Sequence, residues 1–134
     1  MPALSDSSQR ILRVQPFHFG MKDNCLFSFA GRWDRWKPPK EPAIESCAIL
    51  TTAPNELLRD VHDRMPVILR ADKYQAWLDV PASERGDLRY LLIPFDSAIM
   101  KRFPVGWSAN DVQNDTPECI RETPEFISVQ AALL

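Results

Sequence analysis

The chain has 134 residues, 45% of them hydrophobic and 25% charged, which supplies one modest core and sets a single domain as the upper limit. A formal net charge of -2 excludes a general attraction to polyanions, so any contact with nucleic acid has to come from a local basic patch. The opening MPALSDSSQR lacks the basic start and apolar stretch of a secretory signal, and no window approaches the roughly 18 apolar residues of a membrane span, so a soluble protein of the cytoplasm is expected.

Twelve prolines are scattered along the chain, and each removes a backbone donor and clashes with the preceding turn, which leaves room for short strands and short helices only. CLFSFAGRWDRW, Cys25 to Trp36, alternates aromatic with small or polar residues, as a strand with one buried face does. KPPKEP is the loop that follows, and SCAILTT, Ser46 to Thr52, has the length and apolar run of a buried strand. APNELLRDVH places Pro54 at a first helical position and Glu56 in the first turn, which predicts a short helix ending near His62. MPVIL then reads as a second buried strand. DKYQAWLD, Asp72 to Asp79, puts Tyr74, Trp77 and Leu78 at helical spacing, and Pro81 stops that helix. LLIPF is short and apolar, and NDVQNDTPE is turn-rich and polar.

Three cysteines, Cys25, Cys47 and Cys119, are an odd number without CxxC spacing, and they are expected to be reduced, mostly buried thiols rather than zinc ligands. Asp111, Asp115 and Glu118 fall in the turn-rich segment at a spacing that does not suggest a metal site. RWDRWKPPK interleaves Arg32, Arg35, Lys37 and Lys40 with Trp33 and Trp36, a mixture that single-stranded nucleic acid favours, although an alternating strand with two tryptophans more often gives core on one face and solvated charge on the other. His18 is expected to be a strand residue, facing solvent or satisfied within the core.

The segments QPFHF, FAGRWDRW, ESCAILTT, HDRMPVIL, AWLD and PVGWSANDVQNDTP occur in an order that resembles the SOS response-associated peptidase (SRAP) family of abasic site processing proteins. The resemblance covers the later part of that domain, residues 14–118, between tails at 1–13 and 119–134. It implies an α+β fold, mainly β, with a curved, partly barrel-like sheet and a few short helices. The strands that pair with the earlier part of the domain would then carry open edges.

The family's function as implied by the resemblance is binding of single-stranded DNA, covalent crosslinking at abasic sites in the DNA damage response, and a peptidase-like self-processing, with no metal or other cofactor. Its nucleophile is a Cys exposed after removal of the initiator Met, where this sequence has Pro2, and its NARAE-like and GFYEW-like stretches have no counterpart here. His62, Thr51 and Arg64 do match the family pattern. By that match His62 is the catalytic histidine, able to carry a proton near neutral pH; Thr51 hydrogen-bonds the sugar; and Arg64 holds a phosphate. Taken alone, the tripeptide His62-Asp63-Arg64 also suits a helix C-terminus. The sequence thus leaves three readings open: an active family member, a remnant or split product that either binds DNA weakly or needs a polypeptide supplying the Cys half, and a fragment without function of its own.

Overall fold

Short alternating or apolar runs separated by proline give short strands, and the described residues make eight of them: β1 (Phe17–Met21), β2 (Ser28–Phe29), β3 (Gly31–Trp36), β4 (Ile44–Ile49), β5 (Thr51–Thr52), β6 (Met65–Pro66), β7 (Ile68–Leu69) and β8 (Met100–Pro104). One α-helix, α1 (Tyr74–Asp79), follows a 3-10 turn at Ala71–Lys73. The computed structural model describes residues 15–79 and 88–125, and the chain divides into one unit of Phe19–Arg102 and another of Met1–His18 with Phe103–Leu134. The class is α+β. Its described strands form four two-stranded sheets, β1 with β8, β2 with β7, β3 with β4 and β5 with β6, and none of these closes into a barrel.

In the larger unit, three of the four strand pairs meet at a ring of three backbone hydrogen bonds. Ala30 N–H donates to the Val67 carbonyl (2.8 Å), Val67 N–H to the Leu50 carbonyl (2.9 Å), and Leu50 N–H to the Ala30 carbonyl (2.9 Å). Each of these residues is the single break between two strands, so each segment leaves one partner there and takes up the next. The segment through Ala30 changes from β7 to β4, the segment through Leu50 from β3 to β6, and the segment through Val67 from β5 to β2. Ala30 and Val67 are fully buried. A small side chain at Ala30 lets the three backbones approach, and no donor or acceptor of the ring is left unpaired in the interior.

The apolar run Met65–Leu69 supplies the core on both sides of this junction, as its composition predicts. Met65 and Ile68 pack with Met21, Leu58 and Met100, against Phe19, Phe27, Leu57 and Phe95. Val67 and Leu69 pack with Ala30, Leu88 and Leu91, against Leu50, Tyr74 and Trp77. The helix expected over Asp72–Asp79 is present to Asp79, and its Tyr74 and Trp77 reach the core, but Leu78 is 75% exposed. Pro81, its expected stop, lies outside the described residues.

The helix expected from Pro54 to near His62 is instead a run of turns over residues 56–61. Buried Asn55 opens the run as an N-cap residue does, taking the N–H groups of Leu57 and Leu58 on its side-chain oxygen (3.1 and 3.2 Å), but the turns do not extend into a regular helix. Arg102 Nη1 then claims the Leu57 carbonyl (2.7 Å), which a helix would offer to Val61, and the Val61 N–H turns to the Leu58 carbonyl instead. The same guanidinium grips Asp60 with a two-pronged contact, Nη1 to Oδ1 at 2.5 Å and Nη2 to Oδ2 at 2.8 Å. Asn55 is anchored in turn, its Nδ2 donating to the Phe95 carbonyl (2.8 Å) and its backbone N–H to the Met65 sulfur (3.3 Å).

Two further expectations are corrected. The segment Cys25–Trp36 is not one strand with a buried face: Asn24 adopts a left-handed conformation (φ 60), Cys25 lies in the loop that follows it, and the chain breaks again at Ala30. Beyond that break the paired strands β3 and β4 extend as a ribbon whose residues are all exposed, so Trp33, Trp36 and Ile49 are not core and the run SCAIL is not a buried strand. The thiols follow suit: Cys25 and Cys47 are exposed and Cys119 half-buried, because the ribbon and the loop that carry the first two have no core behind them.

In the smaller unit, His18 stacks on Phe103 with ring centroids 4.8 Å apart. Val105 is buried, bonded through its N–H to the Pro16 carbonyl (3.0 Å) and bridged to Glu122. The polar stretch after it forms 3-10 turns at Trp107–Asn110 and Pro117–Ile120.

Ala30→Leu will destabilise the fold by about 1–3 kcal/mol, because added methylenes at the ring force the backbones apart, whereas Val112→Ala, at a fully exposed site, will stay within about 0.5 kcal/mol. Urea unfolding followed by circular dichroism measures both. A second expectation concerns acid. The hydrogen bond from Arg102 holds the Asp60 carboxyl below its ordinary value of 3.8, so the pair contributes stability that is complete above that value and is lost as pH falls through the depressed one. Asp60→Asn will therefore lower the urea midpoint at pH 7, and the gap to the parent will close as pH is taken below 3.8 toward 2.

Candidate functional site

The strand pair β5–β6 aligns Thr51 with Pro66 and Thr52 with Met65, and the loop between the strands carries Asn55, the turns, and His62 to Arg64. Thr51 opens β5, just after the ring residue Leu50, and Arg64 precedes β6. Pairing of the two short strands thus brings together residues 13 apart in sequence. Arg64 grips Thr51 with three hydrogen bonds: Nε to Oγ1 at 2.9 Å, Nη2 to Oγ1 at 2.8 Å, and Nη2 to the backbone carbonyl at 2.7 Å. Two donors on one hydroxyl occupy both of its lone pairs, so what Thr51 retains to offer a ligand is its O–H proton. The guanidinium keeps Nη1, which makes no hydrogen bond to a described residue, as a cationic donor facing an exposed surface.

His62 joins the same cluster through the backbone. Its Nδ1 accepts the Arg64 N–H at 3.0 Å, which requires an unprotonated Nδ1 and leaves the proton of the neutral ring on Nε2. The Asp63 carboxylate lies 3.0 Å from the same Nδ1, a contact that is favourable only with a proton between the two atoms. The two contacts are therefore alternatives. Because the His62 and Asp63 side chains are 68% and 89% exposed, their ion pair is weak, and the backbone bond sets the ring's orientation in the neutral state.

The three residues singled out from the sequence, Thr51, His62 and Arg64, thus fall in one exposed cluster. Sequence reasoning missed three supports. Asp63 is the alternative partner of His62; Asn55 organises the turns leading to it; and Arg102 anchors those turns through Asp60 and Leu57. An Asn after Pro at the start of an interrupted helical pattern was the available signal for the second; nothing local marks the third. Among the described residues no three His, Cys, Asp or Glu side chains are grouped to hold a metal ion. No helix among them is long and apolar enough to cross a membrane.

Residues 6–112 match the model of the SOS response associated peptidase (SRAP) family. The chain belongs to the SRAP family. It is 38% identical over 105 residues to the abasic site processing protein YoqW of Bacillus subtilis, a match that takes in 78% of this chain and 47% of YoqW. It is 34% identical over 96 residues to the rat abasic site processing protein HMCES, covering 71% of this chain and 27% of that one. A crystal structure of a protein from Bacteroides thetaiotaomicron superimposes with a TM-score of 0.68 at 28% identity, over 81% of this chain and 48% of the other. The chain spans about half the length of YoqW, and less of HMCES.

Cys25 is poorly suited to nucleophilic chemistry within this SRAP chain. The Asp23 carboxylate, which takes a hydrogen bond from the thiol and repels a thiolate by its charge, pushes the Cys25 thiol up. Asp23→Asn will accordingly speed alkylation of Cys25 by iodoacetamide at pH 8, read by mass spectrometry of the modified peptide, while leaving the rate at Cys47 unchanged.

Proposed function

We propose that this SRAP chain contributes the histidine, threonine and arginine part of a site that processes abasic sites in single-stranded DNA. The carrying observation is the single cluster in which Arg64 grips Thr51 while its N–H orients His62. The names of YoqW and HMCES, both abasic site processing proteins, support the substrate class. In this reading Arg64 Nη1 holds a phosphate beside the lesion, and the Thr51 O–H donates to a sugar oxygen. In its protonated form, with Nδ1–H on Asp63, His62 gives the Nε2 proton to the ring oxygen as the C1–O bond of the hemiacetal breaks. The C1 hydroxyl releases its own proton to water as it becomes the aldehyde. The freed Nε2 takes a proton from the attacking water when the product imine is reversed.

The covalent step needs a primary amine and a thiol on one residue, and we place that pair on a completing polypeptide equivalent to the part of the SRAP domain outside the matched residues. Its amino-terminal Cys condenses through the amine with the aldehyde, releasing water, and its thiol adds to the imine carbon to close a thiazolidine. Slow peptidase-like reversal belongs to the same assembled site. The setting is the cytoplasm, which suits three thiols that are all unbridged.

The test compares Arg64→Ala and His62→Ala by fluorescence anisotropy with a labelled single-stranded oligonucleotide at two salt concentrations. A crosslink time course on abasic oligonucleotide runs beside it, with this chain alone and with it joined to the segment of YoqW outside the matched residues. Arg64→Ala will weaken binding and flatten its salt dependence, because one fewer phosphate contact releases fewer counterions. His62→Ala will bind nearly as the parent does while the joined protein processes the lesion more slowly, by about 10²-fold or more. The chain alone will give no heat-stable crosslinked band. Equal loss of binding from both substitutions, with unchanged circular dichroism, would show that the tripeptide is a structural corner and sink the proposal.

A further inference from the structure

The β3–β4 ribbon has the composition of an interior and the exposure of a surface. Its register puts Trp33 opposite Cys47 and Gly31 opposite Ile49 on one face, with the Arg35–Glu45 ion pair (3.6 Å) at the far end. The other face carries Arg32, Asp34 and Ser46, with Trp36 and Ile44 at the tip. Trp33 is 71% exposed and Ile49 55%. A cleft of about 320 Å³ continues the apolar face into the body of the unit, lined by Trp33, Leu50, Trp77, Leu78 and Leu92 together with the cations Arg32 and Arg89. Trp77 is fixed there by its indole N–H on the Gly31 carbonyl (3.3 Å).

We infer that the Trp33 face of this ribbon and the adjoining cleft form the docking surface for an extended polypeptide, one equivalent to the part of the SRAP domain that these residues do not cover. The inference rests on the completing polypeptide of the preceding section and names its seat. Three observations select this occupant. A two-stranded ribbon is marginal by itself and gains stability from a third strand or a covered face, and among the described residues β3 and β4 pair only with each other, so each has an outer edge open to strand addition. The described residues also expose more large apolar side chains than they bury, a surplus characteristic of an interface. The relatives and the Bacteroides structure carry about as much chain again or more beyond the match, which is a source for a strand of the required kind. Single-stranded DNA fits this surface less well: the cation on the ribbon face, Arg35, is paired with Glu45, and the cleft sets Arg32 and Arg89 in an otherwise apolar lining.

The full chain is mixed with the segment of YoqW outside its 105 matched residues and followed by sedimentation velocity, hydrogen exchange and tryptophan emission. The expected result is a 1:1 complex, slower exchange of the amides in Gly31–Trp36 and Ile44–Ile49, and a blue shift of emission as Trp33 leaves water. Trp33→Arg and Ile49→Asp will each weaken the complex by about tenfold or more, whereas Val112→Asp will not, with circular dichroism unchanged for all three. Absence of a complex, a complex indifferent to both substitutions, a homodimer through this face, or protection of these amides by an oligonucleotide alone would each overturn the inference. A crosslink assay on the same mixtures separates the two readings. A complex that forms through Trp33 and Ile49 but never crosslinks abasic DNA leaves the docking surface standing and removes the proposed chemistry. Crosslinking that survives both substitutions does the reverse.

Discussion

Three backbone hydrogen bonds, closed in a ring through Ala30, Leu50 and Val67, hold the larger unit together. The strand pairs that meet there are marginal by themselves: β2, β5, β6 and β7 have two residues each, and the longer β3 and β4 form a lone two-stranded ribbon. The ring makes the pairs mutually dependent, since each segment reaches its second partner only where it has left its first. It also sets what can occupy the three positions. Each residue must give one N–H and one carbonyl to the interior, which excludes proline, and Ala30 has room for little beyond a methyl group because Val67, Leu69, Leu88 and Leu91 are packed with it.

The candidate site hangs from this junction by its shortest route. Leu50 is a ring member and Thr51 is the next residue, so the hydroxyl that Arg64 grips is placed by the same hydrogen bonds that fix the core. On the other side the loop is restrained by groups far from it in sequence: Asn55 through Phe95, and Asp60 and Leu57 through Arg102. Rigid attachments at both ends of an exposed loop suit a surface that must present polar side chains in fixed relation to one another.

What the sequence made legible divides along the line between local and non-local causes. The buried run Met65–Leu69 and the helix bearing Tyr74 and Trp77 were visible because composition and spacing alone decide them. The helix before His62 was misread because its hydrogen bonds are diverted by Arg102, some 40 residues away, and no local pattern announces that. Likewise the alternation of Cys25–Trp36 suggested a strand with a buried face, whereas β3 is exposed at every residue; a sequence pattern cannot say whether anything lies over a face. Thr51, His62 and Arg64 were picked out by resemblance rather than by physics. The resemblance could not convey that Arg64 saturates the acceptor side of Thr51, a property of geometry alone.

The backbone N–H of Arg64 holds the His62 ring while the side chain of the same residue holds Thr51. Ring, loop and strand β5 are thus linked in series through one residue, by two fastenings of different kinds. A change of the side chain alone cuts the link to β5 and spares the link to the imidazole, because every residue except proline still supplies the N–H. The two halves of the cluster are therefore separable by chemistry even though a single position joins them.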